Sequence, residues 1–241
     1  MGGRRFAVLL CADDDSDYMK SAYGGYFGLF KEMLAEEGES WDVFRASRGD
    51  LPDESQVESI DGFVITGSCS DAHGYDPWIL GLIGLLRTLD ASKKKVLGIC
   101  FGAQIMGRAL GGKVGRAKSW DIGLRSIQFS AASKLSESLN LPSSIPVIEC
   151  HRDEVKELPT EAVIVAKSDK ARIEAFTYGK HFMGIQGHPE YTQDILRHLI
   201  DRLLQRELIT GSYAEELRAN LGACEPDRES WKSLCLSFLK G

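Results

Sequence analysis

Val96-Leu97-Gly98-Ile99-Cys100-Phe101-Gly102-Ala103-Gln104 is the stretch on which the reading of this chain turns. An apolar run enters a cysteine flanked by glycines and leaves it in a helix-like pattern. The spacing predicts a strand, a sharp turn and a helix, with Cys100 on the turn. Glycine on either side lets the backbone bend tightly and leaves room around a reactive atom. The thiol would stand at the strand's C-terminal end, beside a helix N-terminus whose dipole favours a thiolate. The same residues also suit a cysteine that is only a small buried hydrophobe, and the turn alone leaves both readings open.

A second stretch bears on that choice. His181-Phe182-Met183-Gly184-Ile185-Gln186-Gly187-His188-Pro189-Glu190 is another short apolar strand ending in polar chemistry. A cysteine nucleophile needs a base for its proton, and the base needs a partner that sets its tautomer. His188 and Glu190 stand two apart across a proline, so both can reach one site. His188 alone reads equally as the cap of a helix starting near Tyr191. With Cys100, the pair predicts a Cys100–His188–Glu190 triad. Acyl transfer also needs donors where negative charge develops, and the Phe101 N–H, first after the nucleophile, is one. Gln104, one helical turn on, would face the same side as Cys100 unless it is a plain surface residue.

Working outward, strand patterns at 5–11, 41–46 and 62–66 precede the one ending at Gly98. Helical periodicity covers 25–37, 78–90, 104–110 and 192–206. Shorter strand patterns follow at 122–129, 145–150, 162–168, 172–177 and 181–185. Asp13-Asp14-Asp15-Ser16-Asp17 mimics the start of a calcium loop, but Tyr18 and Gly24 occupy its glycine and glutamate positions, so a solvated loop is expected. Alternating β and α elements imply an α/β fold, a doubly wound and mostly parallel sheet flanked by helices, with its site at the strands' C-terminal ends. No Pro/Gly/Ser-rich linker interrupts the chain. A single domain over 1–241 is expected, its catalytic core at about 6–206 and a helical tail at about 211–241 that Pro226 divides.

Composition narrows the functions. A net charge of −6 gives no basic surface for nucleic acid or anionic lipid. No apolar run approaches the ~20 residues that span a bilayer. The start Met1-Gly2-Gly3-Arg4-Arg5 lacks a signal peptide's apolar region, and Phe6 breaks the myristoylation pattern. The six cysteines form no CxxC pair, which suits a reducing compartment, and the cytosol is the expected location. No metal or cofactor is expected. His188 and Glu190 lack an HExxH helix or paired Cys/His spacing, and the near-match Gly107 to Lys113 ends a helix where a phosphate loop would begin one.

Gly98-Ile99-Cys100-Phe101-Gly102-Ala103-Gln104 with Gly187-His188-Pro189-Glu190 resembles the class I glutamine amidotransferase family, across about 6–200. Tyr23-Gly24-Gly25-Tyr26-Phe27, Asp61-Gly62-Phe63-Val64-Ile65, His151-Arg152-Asp153-Glu154-Val155 and the ending 231–240 resemble plant γ-glutamyl peptidases of that superfamily. The resemblance implies a flavodoxin-like sheet and a γ-glutamyl thioester on the cysteine. It implies Ser68 N–H as a second oxyanion donor beside Phe101, although Gly67-Ser68 also reads as an ordinary β–α turn. It implies Gly67, Gln104 and the segment Cys150-His151-Arg152 as holders of the amino-acid head; His151 reads equally as a core histidine. Asp153 and Glu154 read as structural or solvated. Ala103 stands where the peptidases suggest histidine, and Thr66-Gly67-Ser68-Cys69 replaces the amidotransferases' Ser-Gly-Gly-Pro. The implied activity is hydrolysis of the γ-glutamyl bond of glutathione S-conjugates, in glutathione metabolism or glucosinolate biosynthesis, with no obligatory synthase subunit. The alternative is a glutaminase subunit that supplies ammonia to a separate synthase.

Overall fold

The structure, a computed structural model, describes residues 3–12, 16–130, 137–222 and 224–241. Strand β1 (Arg5–Leu9) sits between β2 (Ser40–Phe44) and β3 (Gly62–Ile65), and β4 (Lys95–Ile99) and β9 (Phe182–Ile185) extend the parallel run. Both faces of these strands are covered, so their residues are apolar on both sides. Phe6, Val8 and Leu10 enter one core cluster while Ala7, Leu9 and Cys11 enter the other. The first cluster holds α1 (Asp17–Tyr23) and α2 (Gly25–Leu34) with the C-terminal helices α6 (Gln193–Gln205), α7 (Gly211–Ala219) and α8 (Arg228–Lys240). The second holds α3 (Glu54–Ser59), α4 (Pro77–Ala91) and α5 (Phe101–Ala109).

Beyond β9 the sheet turns antiparallel through β8 (Ala175–Tyr178), β7 (Ala162–Lys167), β5 (Lys113–Phe129) and β6 (Ser144–Glu157), giving the order β2-β1-β3-β4-β9-β8-β7-β5-β6. Strand β5 begins nine residues earlier than its hydrophobic pattern suggests (113 against 122), and β6 runs past residue 150 to Glu157. The two extra lengths pair with each other across a bulge between Arg116 and Asp121, and 113–120 is exposed or half-buried throughout. Residues 113–120 thus have no buried face to read, and the buried face of 151–157 is His151, Asp153 and Val155, two of them polar, so neither length shows an apolar alternation.

Residues 13–15 of the acidic stretch lie outside the described residues, and Asp17 opens α1 instead of continuing a loop. That helix has seven residues and buries only Met19, too little for a periodicity; Ser16 caps it and Gly24, in the left-handed region at φ +70°, ends it. Helix α6 is capped by Thr192, whose hydroxyl accepts from Ile195 N at 3.3 Å and lies 3.3 Å from the Tyr23 hydroxyl. Thr192→Ala is expected to cost about 1 kcal/mol. That should appear as a Tm lowered by about 2–4 °C in a thermal melt.

The tail is held by specific bonds. Trp231 is buried, its indole N–H donating to Pro146 O at 3.2 Å, and Lys240 Nζ donates to Leu34 O at 2.7 Å. Strands β3, β4 and β9 are parallel neighbours, so Gly67, Cys100 and His188, which follow their ends, meet at one edge of the sheet.

Candidate active site

Cys100 joins β4 to α5 with φ +53° and ψ −107°, a conformation that costs a non-glycine residue about 1–3 kcal/mol. Its N–H donates to Ile185 O on β9 at 2.8 Å, and its carbonyl accepts from Gln104 N at 3.0 Å. Both flanking glycines are required by close approach. A Cβ on Gly98 would collide with Met106 Sδ and the Gly102 backbone, and one on Gly102 with the Ile65 carbonyl. The predicted turn is therefore present, and the surroundings hold it in place.

His188 is fixed from three directions. Its backbone N–H donates to Ile148 O at 2.8 Å, its Nδ1 lies 2.8 Å from Glu190 Oε1, and its ring stacks on Tyr191 at 4.0 Å with planes 2° apart. The carboxylate takes the Nδ1–H, which leaves Nε2 as the acceptor. Both side chains are buried, at 3% and 1% exposure. Gly67 shows how His188 and Cys100 meet: a Cβ there would lie 3.0 Å from His188 Cε1, 3.8 Å from Nε2 and 3.7 Å from Cys100 Cβ.

A cavity of about 320 Å³ opens over this point, within the range of small-ligand sites. Cys100, His188 and Glu190 line it, with Gly67 and Ser68, and so do Gln104, Cys150, His151 and Arg152. The structure thus gathers every singled-out side chain except that of Phe101, which stacks under the turn on Trp78 at 5.5 Å. The Phe101 N–H instead acts on the Cys100 thiol, lowering its pKa. The Ser68 N–H has no acceptor among the described residues, and the Ser68 hydroxyl accepts from Ser70 N at 3.1 Å. Gln104 is not a surface residue: it is buried, and its amide donates to Asp153 O at 2.7 Å. Asp153 is buried and paired with Arg116 at 3.0 Å and His73 at 3.2 Å. Ala103 does not line the cavity but packs beside Gly184, and Thr66 Oγ1 ties the strand ends together by accepting from Cys11 N at 3.0 Å.

The family described as Glutamine amidotransferase class-I matches residues 19–204. The chain belongs to the class I glutamine amidotransferase family. Among its curated relatives, "Gamma-glutamyl peptidase 5" of Arabidopsis thaliana is 48% identical over 99% of this chain and 96% of its own length. "Gamma-glutamyl peptidase 3" of the same plant is 45% identical over 99% and 97%. A solved glutamine amidotransferase from Thermotoga maritima shares the fold, with a TM-score of 0.75 at 20% identity and full coverage of both chains. This amidotransferase-family chain is an enzyme, a hydrolase. None of its described helices is long and apolar enough to cross a membrane.

The electrostatics around Cys100 pull in opposite directions. Burial pushes the Cys100 thiol well above its ordinary range, and nearby Cys150, Glu149 and Glu190 push the same way. The Phe101 N–H opposes them and is outweighed. Desolvation of the charged form thus works against the thiolate that a helix N-terminus favours. Cys150 is likewise pushed by burial to about 12.

Several residues of this amidotransferase site escaped the sequence reading. Gln186 donates to Cys100 Sγ at 3.8 Å and lies 3.3 Å from Gln104; its place directly after β9 and two residues before His188 was the signal. Tyr191, stacked on His188, carried no signal. Glu149 and Glu174 sit buried around His151, with Glu149 3.3 Å from its Nε2. Two triplets bring possible metal-ligand atoms within 4.8 Å of one another, Asp71–His73–Asp153 and Glu149–His151–Glu174. In the first, Arg116 already bridges both carboxylates. In the second, protons do the neutralising. Burial raises Glu149 far above the carboxylate range and Glu174 to about 8, while burial lowers His151.

Proposed function

We propose that this chain hydrolyses the γ-glutamyl bond of glutathione S-conjugates, releasing glutamate and a Cys-Gly conjugate, as a single unit over 1–241 that needs no synthase subunit. The observation that carries the reading is the meeting of Cys100 and His188 around Gly67, with Glu190 on the far nitrogen of the imidazole. The names of the Arabidopsis relatives support the γ-glutamyl bond as the target.

Cys100 Sγ attacks the γ-carbonyl carbon as its proton passes to His188 Nε2, which suits a thiol held neutral at rest. The Ser68 and Phe101 amides receive the oxyanion. As the carbon–nitrogen bond breaks, His188 returns the proton to the leaving amine and a γ-glutamyl thioester remains. Water then attacks, His188 takes its proton, glutamate leaves and the sulfur regains a proton. Glu190 orients the imidazole and stabilises its charged form. Gln104, Gly67 and the segment Cys150-His151-Arg152 hold the amino-acid head. The chemistry needs no cofactor. Six unpaired cysteines support a cytosolic location. Within this reading, S-conjugates on the way to sulfur-containing metabolites such as glucosinolates are the physiological substrates.

The purified protein, incubated separately with an S-alkyl glutathione conjugate and with glutamine, tests this. Mass spectrometry should find glutamate and the Cys-Gly conjugate, with little ammonia from glutamine. Ammonia from glutamine with the conjugate untouched would replace the reading with the glutaminase one.

A further inference from the structure

One flank of the cavity has no part in the chemistry above. Helix α6 turns Leu199, Arg202 and Leu203 toward it, three and four residues apart and so on one helical stripe. Arg202 is half-buried, and among the described residues no carboxylate lies within 4 Å of it. Its guanidinium instead reaches the Cys69 sulfur at 3.0 Å. The other cavity arginines are differently placed. Arg116 is bound to Asp71 and Asp153, and exposed Arg152 lies 5.9 Å from the Trp120 ring, within the segment assigned to the amino-acid head.

We propose that Arg202 binds the terminal carboxylate of the leaving Cys-Gly group, with Leu199, Leu203 and Leu208 receiving the substituent on its sulfur. The inference rests on the γ-glutamyl peptidase reading and names the half of the substrate which that reading leaves unplaced. A half-desolvated guanidinium that lacks a carboxylate partner gains most from a carboxylate, which it can grip with two parallel bonds. The reach agrees. Gly67 marks the reacting centre and Cys69, which touches Arg202, lies two residues on, at most about 7 Å along an extended chain. The terminal carboxylate of glutathione is also two residues from the γ-carbonyl, the same span of about 7 Å. Leu208, 45% exposed at the cavity's edge, gives the sulfur substituent an apolar exit.

The test compares an S-hexyl glutathione conjugate with its glycinamide, which lacks only the terminal charge. In the unaltered protein kcat/KM should favour the acid by roughly 10- to 100-fold, the scale of a hydrogen bond to a charged group. Arg202→Met should bring that ratio close to one, and Arg202→Lys should keep part of it. A ratio taken within one protein does not depend on how much of it is folded. An equal rate on both compounds, or a ratio that survives Arg202→Met, would overturn the inference. Calorimetry on the Cys100→Ala protein reads the same preference as affinity. Binding that discriminates acid from amide, with no hydrolysis by the unaltered protein, would sink the peptidase reading and keep the subsite. Binding of neither compound would sink the subsite.

Discussion

Replacing Cys100 with alanine is expected to lower turnover of the conjugate by roughly 10⁴-fold or more, the scale on which losing a nucleophile acts. The unaltered protein mixed with excess conjugate should show a burst of Cys-Gly product, and its intact mass should rise by one glutamyl group. Peptide mapping should place that group on Cys100. The location matters because other thiols are near. Cys69 and Cys150 line the same cavity, and Cys150 is pushed by burial to about 12. What separates Cys100 from them is its surroundings: an elbow at φ +53°, the Gln186 amide donating to its sulfur at 3.8 Å, and His188 across Gly67. A small buried hydrophobe would tolerate alanine with nearly normal turnover, and that result would remove the covalent mechanism. Alanine keeps the Cβ and its positive φ, so the fold should melt within a few degrees of the unaltered protein. Lost activity would then be lost chemistry.

The second large effect concerns pH and stability. Burial, with Glu149 next in strength, raises Glu174 to about 8, and Glu149 is raised well above the carboxylate range, first by burial and then by Asp121. Around the pair stand His151, Glu190, Arg125 and Asp121, the last bonded to Arg125 at 2.7 Å and Lys170 at 3.4 Å. A carboxyl whose folded pKa lies above its unfolded one binds more protons folded than unfolded between the two values. Glu174 therefore takes stability away as pH rises from about 4.5 to about 8, by about 1.4 kcal/mol per pH unit, and the loss levels off above that. Glutamine mimics the protonated acid. Glu174→Gln should melt close to the unaltered protein at pH 5 and several degrees higher at pH 9, given about 2–4 °C per kcal/mol for a chain of this size. Parallel curves of Tm against pH for the two proteins would show that Glu174 is already ionised when folded.

Much of the centre was legible in the sequence because its signals are local. The turn at Cys100 needs glycines at positions 98 and 102, and the collisions that side chains would cause there are short-range facts of a strand–helix turn. His188 and Glu190 are neighbours across one proline, so their 2.8 Å contact needs no distant element. The parallel half of the sheet was equally readable, since strands buried on both faces must be apolar throughout. The first half of β5 was not, because 113–120 carries no buried stripe, nor was the second half of β6, whose buried face is made by His151, Asp153 and Val155 and so is mostly polar.

The sequence by itself pointed to Cys100, His188 and Glu190 as one group, the triad proposed above, because bond geometry and residue type single them out over a few positions. Tertiary structure alone decided their charge states and company. Burial is what raises the Cys100 thiol, with Cys150, Glu149 and Glu190 acting in the same direction. Glu149 and Glu174 meet although 25 residues part them, through the pairing of β6 with the segment at His188 and of Glu174 with Gln186. Arg202 faces the cavity because α6 packs Ile195, Leu196, Ile200 and Leu203 into the first core cluster. Desolvation and long-range pairing depend on what the whole chain packs around a group, and no short window of residues contains that.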